Sequence, residues 1–126
     1  MTENEIAKQI VDAAYRIHTG LGPGLLESVY EEVLAQDLRT RGLKVVQQKI
    51  IPLIYQGFRF KIAFRVDLIV NDVVIVEIKS VPELAPVHKK QLLTYLRLGE
   101  KRLGLLINFG AYLIKDGISR VANGLE

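Results

Sequence analysis

Residues Asp67 to Lys79 read DLIVNDVVIVEIK, and the way apolar and charged residues follow one another there decides the fold. Val73 to Ile78, VVIVEI, is a nearly continuous apolar run of the kind found in strands covered on both faces, yet it closes on Glu77 and Lys79. Ionised groups are rarely buried without a partner or a metal. Side chains alternate along a strand, so Glu77 and Lys79 share one face, with Val73 and Ile75 behind them. The pattern predicts a core strand that delivers a carboxylate and an ammonium to a cleft at its end.

Working outward, Phe58, Phe60, Ile62, Phe64 and Val66 alternate with Arg59, Lys61, Ala63, Arg65 and Asp67, the clearest strand signal in the chain. The aromatic face is expected to pack, leaving three cations and Asp67 on the other. Gln56-Gly57 is a short turn, and Lys44 to Tyr55 suits a partner strand whose Pro52 argues for an edge or a bulge. Farther back, Thr2 to Glu5 fits a capping box opening a first helix over residues 3 to 18, with Ile6, Ile10, Ala13, Ala14 and Ile17 at helical spacing. Thr19 to Gly24 breaks the pattern. A second helix is expected from Gly24 or Leu25, with Leu26, Val29, Tyr30, Val33, Leu34 and Leu38 as its stripe and Gly42 as its C-cap.

Downstream, Pro86 suits the first residue of a helix that ends near Gly99 and packs through Val87, Leu92, Leu93, Leu96 and Leu98. Leu103 to Phe109 reads as another buried strand, and a small hairpin is expected about Asp116-Gly117, between AYLI and ISRV. After the first helix the order is α-β-β-β-α-β. That order predicts an α/β sandwich: a mixed central sheet flanked by helices, with an extra N-terminal helix.

The 126 residues, 49% hydrophobic, suffice for a single domain over residues 1–126. Seventeen basic against 14 acidic residues give a net charge of +3, which permits a polyanionic partner. The lack of cysteine excludes a disulfide framework, a thiolate zinc site and a cysteine nucleophile. No apolar run approaches the roughly 18 residues a membrane span requires, and a soluble cytoplasmic protein is expected.

Acidic candidates come from three elements: Glu27 at the start of the second helix, Asp67 on the long strand and Glu77 on the buried one, with Lys79 beside Glu77. Hard cations such as Mg²⁺ or Mn²⁺ favour such oxygen ligands, and Asp67 and Glu77 supply a pair. The pair converges only in the right register. A two-residue turn at Asn71-Asp72 would set Asp67 opposite Val76, so the site requires an odd-length connection or a bulge. The competing readings are an ion network for Asp67, Glu77 and Lys79, a favourable anion at a helix start for Glu27, and core packing for Tyr30. His18 suits a structural place at a helix end, and His88 an exposed one. Arg59, Lys61 and Arg65 read either as a phosphate-facing stripe or as a solvated face.

The spacing D-x9-E-x-K, Asp67, Glu77 and Lys79, resembles the core motif of the PD-(D/E)XK nuclease superfamily, and the element order matches its core. Gly24-Leu25-Leu26-Glu27-Ser28-Val29-Tyr30 resembles the motif of its GxxExxY branch, and Gln91 and Tyr95 resemble the Q-x-x-x-Y motif of RecB-like branches. Val66 stands where a proline would precede Asp67. The resemblance implies a Mg²⁺-dependent or Mn²⁺-dependent nuclease acting on nucleic acid, DNA before RNA, and so small a core is expected to need a homodimer or a partner protein to embrace a duplex. Asp67, Glu77 and Glu27 would hold metal, Lys79 would assist the attacking water, and Tyr30, Arg59, Arg65, Gln91 and Tyr95 would contact nucleic acid or support the site. A non-cleaving nucleic-acid-binding or regulatory protein and a structural or assembly protein are the alternatives.

Overall fold

The computed structural model describes residues 1–125. Helix α1 (Glu3–Leu21) opens on the expected capping box: the Thr2 hydroxyl accepts the Glu5 N–H and the Glu5 carboxylate accepts the Thr2 N–H, each at 3.2 Å. It ends at Gly22, whose φ of +71° suits glycine. Helix α2 (Glu27–Thr40) starts later than its apolar pattern suggests. Tyr30 accounts for the delay, because its hydroxyl donates to the Gly22 carbonyl and accepts the Leu25 N–H at 3.2 Å, tying the loop back onto the helix's first turn.

Strands β1 (Val45–Tyr55), β2 (Phe58–Val70) and β3 (Val74–Lys79) are followed by α3 (Pro86–Leu98), β4 (Leu103–Asn108), a short 3₁₀ turn (Ile114–Asp116) and β5 (Ile118–Ala122). They form one sheet in the order β1-β2-β3-β4-β5, antiparallel except for the parallel pair β3–β4. Alternation along β3 explains the layers. Val74, Val76 and Ile78 pack with α1 and α2 through Ile10, Tyr30 and Leu34, whereas Ile75 packs with Leu92 and Leu96 of α3. The buried strand is therefore covered on both faces, and the parity of Ile75 puts Glu77 and Lys79 on the α3 side.

Gly104 lets α3 approach β4: a Cβ there would stand 3.0 Å from Leu92 Cγ and Cδ1. Gly104→Val is expected to lower stability by about 1–3 kcal/mol through overpacking, measured by urea denaturation.

Two expectations fail. The tail forms no hairpin with AYLI; instead β5 pairs with β4, from Leu103 opposite Ala122 to Ile107 opposite Ile118. The open edge of β4 offers a full ladder, and Ile118 and Val121 each pack against a core cluster, while Tyr112 stays 88% exposed. The aromatic face of β2 also stays largely unpacked, with Phe58 71%, Phe60 45% and Ile62 63% exposed. The cause is length. At about 3.4 Å per residue the 13 residues of β2 far outrun the 6 of β3 and the 13-residue helix α3, which rises only about 1.5 Å per residue. The distal β1–β2 hairpin projects beyond both helical layers.

Candidate functional site

The register that the carboxylate pair requires is present. Three residues, Asn71 to Val73, connect β2 to β3, with Val70 opposite Val74, Ile69 opposite Ile75 and Leu68 opposite Val76. Asn71 and Asp72 take φ of +50° and +62°, a conformation that short polar side chains tolerate best, and the odd count carries Asp67 to the level of Glu77. The ladder stops at Leu68. Beyond it the Asp67 side chain does the pairing, its Oδ2 accepting the Ile78 N–H at 2.7 Å.

Glu77 is the most perturbed group there. Burial pushes its carboxyl from an ordinary 4.5 to about 9, the charge and hydrogen bonding of Asp67 add to the rise, and Lys79 offsets only part of it. Its Oε1 is buried without a hydrogen-bond partner among the described residues. A buried, unpartnered carboxylate oxygen facing a second carboxylate is costly in a protein whose concern is stability alone. It is what a cation-binding pair looks like when a proton stands in for the cation.

Around the pair, the structure brings some expected residues together and separates others. Tyr95 lies on the same side, its phenol pKa raised by burial and by the charges of Glu77 and Asp67, with Gln91 offsetting part of the rise. Glu27 is exposed as the first residue of α2. Among the described residues no group of three or more His, Cys, Asp or Glu side chains is placed to hold a metal, so Glu27 is not gathered with the pair as a third ligand. The loop before it is held near β3 by Ser80, whose hydroxyl donates to the Leu25 carbonyl at 2.6 Å. Tyr30 is fully buried and stacked on Phe109 at 4.5 Å, so its place is in the core and the loop tie. His18 is likewise structural, with Nε2 2.8 Å from the Ala111 carbonyl. His88 is half-buried, contrary to expectation, and its Nδ1 accepts the Ala85 N–H at the start of α3. Arg59 and Arg65 are exposed on the hairpin, opposite Ile54 and Ile50.

The acidic group joined to Asp67 is one that the sequence reading passed over. Gln48 Nε2 donates to Asp67 Oδ1 at 3.3 Å and to Glu31 Oε1 at 2.6 Å, bridging α2 to β2. Gln47 also donates to Glu31 and to Glu32. Gln48 has a φ of +52° inside a strand, at the point where the β1–β2 ladder skips Asp67: Gln47 opposes Leu68 and Lys49 opposes Val66. At the same level β2 breaks its alternation, since Val66 and Ile69 both pack on the α3 side. Strain of this kind persists only where the surroundings impose it, and it clusters at working sites. Glu31 had a signal in the sequence, four residues after Glu27 on the same helix face. Gln48 had none.

The family model of the PD-(D/E)XK nuclease superfamily matches residues 4–121. The chain belongs to the PD-(D/E)XK nuclease superfamily. Its mixed five-stranded sheet between helical layers, with an N-terminal helix, agrees with that fold. Comparison with curated proteins and comparison with solved structures return no match. Membership indicates a nuclease-like function and, with it, nucleic acid as the partner and divalent metal as the usual cofactor. No helix among the described residues is long and apolar enough to cross a membrane.

Asn108, passed over inside the apolar LGLLINF run, braces the end of β3. Its Oδ1 accepts the N–H groups of Val81 and Gly110 and its Nδ2 donates to the Val81 carbonyl, at 2.9 to 3.0 Å. Every polar atom of this buried side chain is thereby satisfied, which fixes the strand end that carries Lys79.

Proposed function

We propose that the chain, read as one nuclease-like domain of the GxxExxY branch acting in the cytoplasm, hydrolyses phosphodiester bonds in nucleic acid with Mg²⁺ or Mn²⁺. The observation that carries the reading is the opposed pair Asp67 and Glu77, with a buried Glu77 oxygen that no donor among the described residues satisfies. The donor set fits a hard cation: two carboxylates from neighbouring strands, a number that such ions commonly take together with waters. A cation held there would acidify bound water and polarise a phosphoryl oxygen. The chain's own groups do the rest. Lys79, on the same face of β3 as Glu77, orients the attacking water and offsets the charge growing on the phosphoryl oxygens. Gln48, itself held by Glu31, fixes the Asp67 carboxylate, and Tyr95 borders the pair on the α3 side.

Cleavage of single-stranded DNA, duplex DNA and RNA, each with Mg²⁺ or Mn²⁺, tests the reading. Lys79→Ala is expected to slow cleavage by about a hundredfold or more, and cleavage unaffected by it would contradict the assignment. Gln48→Ala is expected to weaken Mn²⁺ binding about tenfold, read by calorimetry, because outer groups that orient ligands contribute on that scale. Among the described residues no third acidic side chain is gathered with the pair, which favours, as a second reading, a nucleic-acid-binding protein that does not cut. Salt-sensitive binding without cleavage would establish that alternative.

A further inference from the structure

The projecting hairpin has a composition unlike the rest of the surface. Between Val45 and Val66 there are four cations, Lys49, Arg59, Lys61 and Arg65, and no acidic residue. None of the four is paired with an acid among the described residues. Register puts Tyr55 beside Phe58 and Ile51 beside Phe64 on one apolar face, with exposed Phe60 and Ile62 between them in the stretch where the ladder shifts at Pro52 to Ile54. That face is continuous with the carboxylate pair. Phe64 meets the Tyr95 ring at a centroid distance of 5.4 Å, and Tyr95 borders Asp67 and Glu77. Arg59 and Arg65 lie on the opposite face of a ribbon only two strands wide, about 5 Å apart, so their charge lies within a Debye length of the aromatic face.

Large exposed apolar groups mark an interaction surface. Its charge selects the occupant. A second copy packed there would add like charge within that screening distance, whereas a polyanion matches the cations. Exposed aromatic faces are of little use to a duplex, whose bases are already stacked, but they take the faces of unpaired bases. We propose that the aromatic face of the β1–β2 hairpin is a stacking track for single-stranded nucleic acid, guiding an unpaired strand past Phe64 and Tyr95 to the Asp67–Glu77 pair. The destination rests on the nuclease reading; the binding does not.

The test is fluorescence anisotropy of labelled oligothymidylate against an equally long dA·dT duplex, in EDTA so that cleavage plays no part. Single strand is expected to bind more tightly. Phe58→Ala and Phe60→Ala should each weaken it about tenfold, with Phe58→Tyr retaining affinity. Arg59→Ala should lower the salt slope by about 0.7. These residues are exposed, so unchanged circular dichroism and melting are expected of the variants. Equal or tighter duplex binding would overturn the proposal, as would a Phe58→Ala Phe60→Ala protein that binds like wild type. So would a dimer, seen by sedimentation, that Phe58→Ala dissociates. Single-strand binding in a protein that never cleaves would sink the nuclease reading alone, and cleavage without single-strand preference would sink the track alone.

Discussion

Glu77→Gln is expected to abolish metal-dependent cleavage, by about a thousandfold or more, while making the metal-free protein more stable. Both effects follow from one carboxyl. Glu77 is buried, faces Asp67 and holds a proton up to about pH 9. In the unfolded chain it ionises at its ordinary 4.5, so at neutral pH folding works against the cost of keeping it neutral. Glutamine is neutral at every pH and its amide can donate to the Asp67 carboxylate. The expected gain at pH 7 is about 1–3 kcal/mol, read by urea denaturation. The substitution removes one of two ligands for the cation, so activity and stability move in opposite directions. If the charges were only an ion network, deleting Glu77 would leave Lys79 without its partner and lower stability. A destabilised but active Glu77→Gln protein would therefore exclude the present account.

The second large effect is a pH dependence with an unusual sign. Carboxylates paired with cations stabilise a fold as pH rises, but Glu77 acts the other way. Between about 4.5 and about 9 the folded chain keeps a proton that the unfolded chain has lost. Its contribution is fully present below pH 4.5 and is lost progressively as pH rises through that window, at up to about 1.4 kcal/mol per pH unit. Urea midpoints of the metal-free protein should decline across the window, and those of Glu77→Gln should decline less. Parallel curves for the two proteins would show that Glu77 does not hold the proton.

Much of this was legible in the chain. The VVIVEI run announced a strand covered on both faces, and the charges closing it announced the site; both follow from side-chain alternation, which depends on local sequence alone. The register condition was legible too, because Asp67 and Glu77 can share a level only across an odd-length connection, and the turn obliges with three residues. What escaped depends on reach rather than pattern. Alternation identified the aromatic face of β2 but not that β3 and α3 are too short to cover Phe58 and Phe60. Glu27 drew notice as a helix-start acid, yet Glu31, one turn on, is joined to Asp67, because Gln48 leaves the strand conformation to bridge them. A glutamine at positive φ carries no turn signature, so no rule of local propensity finds it.

The central claim is that Glu77 gives up its proton when it and Asp67 bind a divalent cation. Calorimetric titration with Mn²⁺ near neutral pH, in two buffers of different ionisation enthalpy, tests it most directly. Binding should release close to one proton, tighten as pH rises towards about 9, and vanish in Glu77→Gln. Binding without proton release, or binding that survives Glu77→Gln, would contradict it.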